Sequence, residues 1–296
     1  MKKRPLLLGF LVFGVLLSLF FLSILAFSYF SGQKESLWRD EKVAIIEVKG
    51  VIIDPQPIVE KLIKFRKNEN IKAIVLRIDS PGGGVGPAQE IYAEVKKVQR
   101  EKRVLVSMGS VAASGGYYIA CAADKIMANP GSITGSIGVI VESLNVEDLL
   151  RKIGLRSEVI KSGRHKDIGS PLRKMTPEEK RLLQGVLDNV HEQFIRAVAE
   201  GRKLPLEKVR NLADGRIFSG DQAKTLGLVD ELGNLQDAIA MAAKMAGIKG
   251  EPEVIYPEKK RFSLLELLLQ ETILKFLESR GENFPQFYFL YSLPQG

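Results

Sequence analysis

The sequence predicts an α/β domain with a largely parallel sheet, and three observations lead to that prediction. Short runs rich in aliphatic and β-branched residues recur along residues 43–141. Helical patterns lie between or after these runs, and strands that alternate with helices are typical of parallel sheets. Glycine-rich segments follow several of the runs, and such folds place their functional sites in loops at the carboxyl ends of strands. The 296 residues are 45% hydrophobic and 26% charged, which is ordinary globular composition.

The individual elements are predicted from apolar spacing and from signals at their ends. Strands are expected at Val43–Val48, Ala73–Ile78, Val104–Met108, Lys125–Ala128 and Ile137–Val141, and helices at Pro87–Arg100 and Leu235–Ala246. The run Thr176-Pro177-Glu178-Glu179 has the pattern of a capping box with proline at the first helical position. It predicts the start of a long amphipathic helix, which Gly201 is expected to end.

The start of the chain predicts a membrane anchor. No charged residue occurs from Pro5 to Phe30, and these 26 residues would extend about 39 Å as a helix, enough to cross a hydrocarbon core of about 30 Å. Lys2, Lys3 and Arg4 precede the run, so the positive-inside rule places the N-terminus in the cytoplasm and the rest of the chain outside it. A cleaved signal peptide is the alternative, but its apolar region is usually about 7–15 residues long.

These features divide the chain into four parts. They are a basic end with the anchor (residues 1–32), a polar linker (33–41), one catalytic-size domain (42–250), and a helix followed by an aromatic tail (251–296). The helix is expected from Ser263 to about Ser279, with leucines crowding one face. It is expected to pack on its own domain or on a neighbouring subunit, and the membrane surface is the alternative.

Charge and composition exclude several classes of function. The net charge is +8, and residues 1–40 contribute five basic and two acidic side chains to it. The remainder is only mildly basic and has no basic stripe interleaved with aromatic residues, which argues against nucleic-acid binding. One cysteine rules out a disulfide framework within the chain, only two histidines argue against a metal centre, and no cofactor is predicted. The glycine-rich segments lack the lysine of a phosphate loop and the G-x-G-x-x-G spacing, so nucleotide binding is not expected either.

The candidate chemistry lies in the glycine-rich segments Asp79–Gly84, Gly109–Tyr118 and Gly131–Gly138. In the second of them Ser114 lies between two alanines and two glycines, so a peptide carbonyl can approach its Oγ closely. Acyl transfer needs such a nucleophile, a base, and backbone N–H groups that face the developing oxyanion. An apolar helix, Tyr117–Ala123, is expected to follow, and the N–H groups of Gly115 and Gly83 are candidate oxyanion donors. A purely structural glycine–serine turn is the alternative.

The residues alone leave the identity of the base open. His165 and His191 are the candidates for a Ser-His mechanism, although His191 lies within the long amphipathic helix and is expected to be structural or solvated. Lys166 is the other candidate. A lysine acts as a base near neutral pH only where burial or positive charge lowers its pKa from about 10.4 towards 7–8.

A family resemblance selects among these candidates. The three glycine-rich segments and Lys161–Pro171 together resemble the signal peptide peptidase A family of membrane-anchored serine peptidases, over about residues 43–245. The specific part is Ala113–Tyr118 combined with the distant Lys166-Asp167-Ile168. The resemblance implies that Ser114 is the nucleophile and Lys166 its general base. It also implies that Gly83 and Gly115 donate to the oxyanion and that Ser136 orients the lysine amine.

The same resemblance carries expectations about fold, assembly and substrates. The fold is expected to be a Clp protease/crotonase-like spiral of ββα units, preceded by one N-terminal transmembrane helix. The chain resembles the short form of the family, which forms a homo-oligomeric ring in which neighbouring subunits supply the serine and the lysine of one site. Remnant signal peptides, as extended apolar peptides, are the implied substrates. The aromatic tail, residues 284–294, is a candidate to enter the same groove as a self-inhibitory or self-processed peptide.

Three other interpretations remain at this point. An α/β-hydrolase-type esterase would need the elbow G-x-S-x-G, but position 112 is alanine. Such an enzyme would also depend on His165. A non-catalytic membrane scaffold with the same fold would have no need of Ser114 and Lys166 together. A crotonase-like thioester enzyme would lack coenzyme A outside the cytoplasm.

Overall fold

The computed structural model describes residues 13–25 and 41–256, and the backbone of residues 288–290. The chain divides into two units, Met1–Glu41 and Lys42–Gly296. In the first unit residues 13–25 are helical (α1). No helix in the described part of the chain is long and apolar enough to cross a membrane. The remainder of the expected anchor, nearly all of the linker and the helix expected at 263–279 lie outside the described residues.

The second unit has an α/β fold. Its strands are β1 (Lys42–Lys49), β2 (Ile71–Ser80), β3 (Gly82–Gly84), β4 (Arg103–Ala113), β5 (Lys125–Ala128), β6 (Ile133–Gly135), β7 (Ile217–Ser219), β8 (Glu231–Leu232), β9 (Glu253–Ile255) and β10 (Tyr288–Leu290). Its helices are α2 (Gln56–Lys67), α3 (Val85–Gln99), α4 (Gly115–Ala120), α5 (Glu147–Lys152), α6 (Pro177–Arg202), α7 (Leu206–Leu212), α8 (Gly220–Leu226) and α9 (Leu235–Met245).

The main sheet has the order β7-β6-β4-β2-β1-β9, with β5 paired to β4 and β8. All of its pairs are parallel except β6 with β7, which confirms the prediction of an α/β fold with a largely parallel sheet. The short strand β3 pairs antiparallel with β10 in a separate two-stranded sheet. The carboxyl ends of β2, β4 and β6 therefore lie side by side, and the glycine-rich segments follow them.

The sheet is buried on both faces, which explains why its strands are almost continuously apolar. Successive side chains of a strand point to opposite faces. Accordingly Ala44 and Ile46 of β1 belong to one core cluster, whereas Val43 and Ile45 belong to a second cluster that includes residues of α9. Strands covered on both faces have no solvated positions at which polar residues are favoured.

Several local predictions are corrected by the structure. No strand forms at Ile137–Val141; the strand in this region is β6, and positive φ angles at Gly135 (82°) and Ser136 (49°) end it. Helix α4 begins at Gly115 rather than at Tyr117. The capping box at Thr176 is confirmed.

The prediction that Gly201 ends the long helix is wrong. Helix α6 continues to Arg202, and Lys203 takes the left-handed conformation with φ 52°. Gly201 serves a packing role instead, because a Cβ at this position would lie 2.0 Å from the carbonyl oxygen of Cys121. The missing side chain allows α6 to approach the chain just after α4.

Candidate active site

Ser114 occupies a strained turn between β4 and α4. Its backbone angles are φ 52° and ψ −118°, a conformation that costs a non-glycine residue about 1–3 kcal/mol. Two backbone hydrogen bonds hold it there: its N–H donates to Gly135 O (2.9 Å), and its carbonyl accepts from Tyr118 N (2.8 Å). The residue is only 1% exposed, yet its side chain does not cap the helix that follows. The hydroxyl is therefore not used to stabilise the turn.

Helix α4, which follows Ser114, is held in place by buried side chains. Tyr117 is fully buried, and its hydroxyl donates to Leu228 O at 2.8 Å. Burial raises the pKa of the Cys121 thiol to about 12. A thiol in this environment is protonated and poorly nucleophilic. This cysteine is thus part of the support of the turn, and the hydroxyl of Ser114 is the polar side-chain group at the turn itself.

Strand β3, which contains Gly83, lies beside this turn and is braced by Ile52. The Ile52 N–H donates to Gly82 O and the Ile52 carbonyl accepts from Gly84 N, both at 2.8 Å. A Cβ on Gly83 would lie 2.2 Å from the same carbonyl oxygen, so only glycine fits. Successive residues of a strand direct their N–H and C=O groups to opposite sides. The polar groups of Gly83 therefore face away from Ile52, toward the edge occupied by β10.

Two residues that the sequence analysis missed hold the ends of β2 and β4 in place. The Ser80 hydroxyl donates to Gly50 O at 2.6 Å and accepts from Gly82 N at 3.1 Å. The Asp79 carboxylate accepts from Val111 N at 3.1 Å. The signal in the sequence was a polar pair directly before Pro81 and the glycines, but two of its bonding partners, Gly50 and Val111, are 30 or more residues distant.

Ser136 and Ser114 each directly follow the last residue of a strand, and the two strands, β6 and β4, are neighbours. Ala113 pairs with Gly135 in the parallel register of β4 and β6, so the two serines follow paired residues at the same edge. Ser136 is 8% exposed, and its N–H donates to Arg216 O at 2.8 Å. A cavity of about 480 Å³ opens beside it, lined in part by Val139 and Ile140. The structure thus places Gly83, Gly115 and Ser136 around the edge that carries Ser114.

Lys166 lies in a loop and is exposed. Within the described residues its side chain makes no hydrogen bond or ion pair, and none links it to Ser114 or Ser136. The loop itself is ordered by turns, in which Lys166 N donates to Gly163 O and Ile168 N to His165 O, each at 3.1 Å.

The two histidines lie apart from one another. His165 Nε2 is 3.7 Å from an oxygen of Glu178, while its Nδ1 is buried and lacks a partner among the described residues. His191 lies on α6 and lines the cavity beside Ser136; its Nε2 is also buried and unpartnered in that part of the chain. Neither histidine has a hydrogen bond to Ser114 within the described ranges.

A strained, buried serine beside glycine N–H groups at the edge of an α/β sheet is the arrangement of a serine-type hydrolase, and comparisons with known proteins agree. The family model for Clp protease matches residues 40–134, and the model for peptidase family S49 matches residues 96–249. The chain belongs to peptidase family S49, and it is a serine-type peptidase.

Related proteins support this assignment. The chain is 48% identical to a protein of Synechocystis sp. named as a protease, over 70% of this chain and 76% of that one. It is 35% identical to a protein of Methanocaldococcus jannaschii that is also named as a protease, over 86% of each chain. A protein of Enterococcus faecium named as signal peptide peptidase SppA is 36% identical over 68% of this chain and 62% of its own length.

Proposed function

We propose that this protein is a membrane-anchored serine endopeptidase that degrades extended apolar peptides, such as remnant signal peptides, with a Ser114–Lys166 dyad. The observation that carries the proposal is the conformation of Ser114. Its positive φ, its burial and its position among residues without bulky side chains present the hydroxyl at the end of β4. Strain of this kind persists only where the surrounding structure holds it, and it is concentrated at active sites.

The proposed mechanism combines the groups at this edge with Lys166. The neutral amine of Lys166 takes the proton of Ser114 as Oγ bonds to the scissile carbonyl carbon. The N–H groups of Gly115 and Gly83 stabilise the oxyanion of the tetrahedral intermediate. The ammonium group of Lys166 then protonates the leaving nitrogen as the C–N bond breaks. In the second half a water molecule, deprotonated by Lys166, attacks the ester, and Ser114 Oγ recovers its proton on release of the carboxyl product.

The proposed role of Lys166 requires an environment that the described part of one chain does not supply. A basic lysine must be shielded from water, because solvation favours its charged form. In the described chain Lys166 is exposed, whereas Ser114 and Ser136 are buried. Assembly into a ring, as in the short form of the family, would place the Lys166 loop of one subunit against the serines of its neighbour. Ser136 would then accept or donate a hydrogen bond that orients the amine.

The pairing of β3 supports a peptide as the substrate. Residues 288–290 of the chain itself lie antiparallel to β3, with Phe289 opposite Gly83. The free edge of β3 thus accepts an extended backbone beside the proposed oxyanion donors. An extended segment that adds to a sheet edge is a common form of peptide recognition. We extend the proposal to the aromatic tail, which would occupy the substrate groove and restrain the enzyme.

The first unit supports the proposed anchor. Residues 13–25 are helical, and every one of them is exposed, including Phe13, Phe20 and Leu25 at more than 60%. A helix that is apolar on all sides needs a nonpolar environment around its whole circumference. In the proposed topology this segment forms the middle of a longer span, with the N-terminus in the cytoplasm and the peptidase unit outside it.

The test is hydrolysis of a fluorogenic signal-peptide-like substrate by the full-length chain in detergent. Ser114→Ala and Lys166→Ala should each lose about 10⁴-fold or more in kcat, because members of a catalytic pair act as a unit. Ser110→Ala, at an exposed serine of the same strand, is the matched control and should retain wild-type activity. His165→Ala should remain active. Loss of activity in His165→Ala together with an active Lys166→Ala would replace the dyad with Ser-His chemistry.

A further inference from the structure

The loop that carries Lys166 is fastened to helix α6 by one arginine. Arg173 donates through Nε to the carboxylate of Asp167 (2.7 Å) and through Nη2 to the Asp167 carbonyl (3.2 Å). Its two terminal nitrogens also donate to the two oxygens of Glu179, at 2.8 and 2.6 Å. One guanidinium group thus joins the residue that follows Lys166 to the first turn of α6.

Both acceptors of Arg173 are shielded from solvent. The Asp167 and Glu179 side chains are 12% and 4% exposed, whereas the neighbouring surface pair Arg164–Glu178 is 75% and 39% exposed. Hydrogen bonds from Arg173 hold the pKa of the Asp167 carboxyl well below its usual range. Ion pairs that are shielded and bidentate are geometrically specific, while exposed pairs contribute little.

Each end of this bridge is fixed by further bonds. Glu179 is the N3 residue of the α6 capping box, where it accepts from Thr176 N at 2.9 Å. Asp167 also accepts a hydrogen bond from Lys161, at the start of the loop. Farther along, the Gly169 carbonyl accepts from the Ser143 hydroxyl at 3.0 Å. The loop is therefore tied at several backbone points, and the side chain of Lys166 projects from it without a partner in the described chain.

We propose that Arg173 is a positioning residue for the proposed base: it fixes the backbone at Asp167 against α6 and so sets where Lys166 meets the Ser114 hydroxyl. The inference rests on the proposed function, in which Lys166 is the base. A displacement of about 1 Å in a reacting group is enough to cost roughly a hundredfold in rate. A loop that is exposed at its functional residue needs such a constraint, since residues 161–171 contribute no side chain to the hydrophobic core of the described chain.

The geometry also explains why the residue is arginine. The planar guanidinium donates to Glu179 with its two terminal nitrogens and to the Asp167 carboxylate with its third nitrogen, Nε, at the same time. A lysine ammonium is a point charge that does not reproduce this fork. Arg173→Lys should therefore retain only part of the activity that is lost when the guanidinium is removed.

The experiment compares Arg173→Gln, Arg173→Lys and Glu179→Gln in the full-length chain. Arg164→Gln is the matched control, because it removes one positive charge from the same loop through an exposed pair. For Arg173→Gln we expect kcat to fall about 10- to 100-fold with KM within about twofold of wild type, and labelling of Ser114 by a fluorophosphonate to slow in parallel. Arg173→Lys and Glu179→Gln should give smaller losses of the same kind, and Arg164→Gln should match wild type.

The outcomes separate the two proposals. If Lys166→Ala retains activity, the dyad itself is wrong, whatever the Arg173 variants do. If Lys166→Ala is inactive but Arg173→Gln and Glu179→Gln match Arg164→Gln in kcat, the positioning role is overturned. An increase in KM alone would also overturn it, because it would indicate a role in substrate binding. Circular dichroism establishes that each variant is folded; should Arg173→Gln fail to fold, Glu179→Gln, which keeps an oxygen for the capping box, decides the question.

Discussion

The two halves of the candidate site are built in different ways. The half with Ser114, Gly115, Gly83 and Ser136 is made of strand ends and is almost wholly buried. The half with Lys166 is a loop in which Lys166 itself is exposed and whose internal order comes from turns and from the Arg173 ion pairs. The hydrogen-bond register of the parallel strands fixes the positions of the residues in the first half. The second half lies in turns, so no strand pairing fixes its residues. Within the described residues the serine half is therefore formed by one chain, whereas the side chain of Lys166 is exposed and makes no hydrogen bond or ion pair.

The largest effect that tests this comparison is complementation between inactive chains. If neighbouring subunits supply the two halves, a mixture of Ser114→Ala and Lys166→Ala chains regains activity, because some interfaces combine an intact serine with an intact lysine. Random assembly of equal amounts in a ring gives about one quarter of wild-type activity. The two full-length proteins are dissociated, mixed and then reassembled together, and hydrolysis is measured. A mixture as inactive as its components would place both halves in one chain.

A second prediction tests the strand-borne half alone. Gly83→Ala would place a Cβ 2.2 Å from Ile52 O and displace β3. Because removal of one oxyanion donor costs about 10²–10³ in kcat, we expect a loss of that order. Gly86→Ala is the control, since nothing lies within 4 Å of a Cβ there. Near-normal kcat in a folded Gly83→Ala enzyme would show that catalysis does not depend on the position of this N–H.

A third prediction concerns the occupant of the β3 edge. Replacing residues 284–296 with a glycine–serine segment of equal length should speed fluorophosphonate labelling of Ser114 roughly threefold or more, because a tethered segment competes at high effective concentration. Labelling is measured at several reagent concentrations. Equal rates for the two chains would show that the tail does not restrain the site.

The smallest expected effect is on the free energy of unfolding at acid pH, through the carboxylates in and beside the Lys166 loop that bind Arg173. Hydrogen bonds from Arg173 lower the pKa of Asp167 and lower that of Glu179 to about 2. The unfolded values are about 3.9 and 4.3, so these carboxylates stabilise the fold fully above about pH 5, and that contribution is lost as the pH falls toward 2. In Arg173→Gln the unfolding free energy should therefore fall less between pH 5 and pH 3 than in wild type. Urea unfolding at both pH values measures this; parallel losses in the two proteins would contradict it.

The sheet was predictable from sequence because its physics is local and repetitive. Strands buried on both faces are apolar runs, and β5 was predicted with both of its bounds while β1 was predicted to within one residue at each end. The strand expected at Ile137–Val141 failed for a conformational reason. Its apolar residues fit a strand, but the positive φ of Ser136 is imposed by the hydrogen bond to Arg216, some 80 residues away in sequence.

In the candidate site, too, some features could be predicted from residue type, whereas others depend on contacts between residues distant in the sequence. Ser114 and its glycine neighbours are marked by residue type, since close approach to a backbone requires small side chains. The contacts that hold them are not marked in this way: Ile52 braces β3 through backbone atoms, which every residue possesses. The bridge from Arg173 to Asp167 and Glu179 joins residues at a spacing of six, which matches no secondary-structure period. Lys166 as the base stays a prediction from the family resemblance.

The three glycines of β3 bear on which peptides could pair with this strand. Three consecutive glycines present only N–H and C=O groups, which are the same in every peptide. Pairing with such a strand requires that the backbone of the bound chain is extended and has free hydrogen-bonding groups. It does not depend on which side chains the bound chain carries. Folded proteins, whose backbones are already paired, would be refused, while any released stretch of unpaired chain would be accepted. If β3 binds the substrate as proposed, selectivity depends first on the conformation of the peptide and second on its side chains.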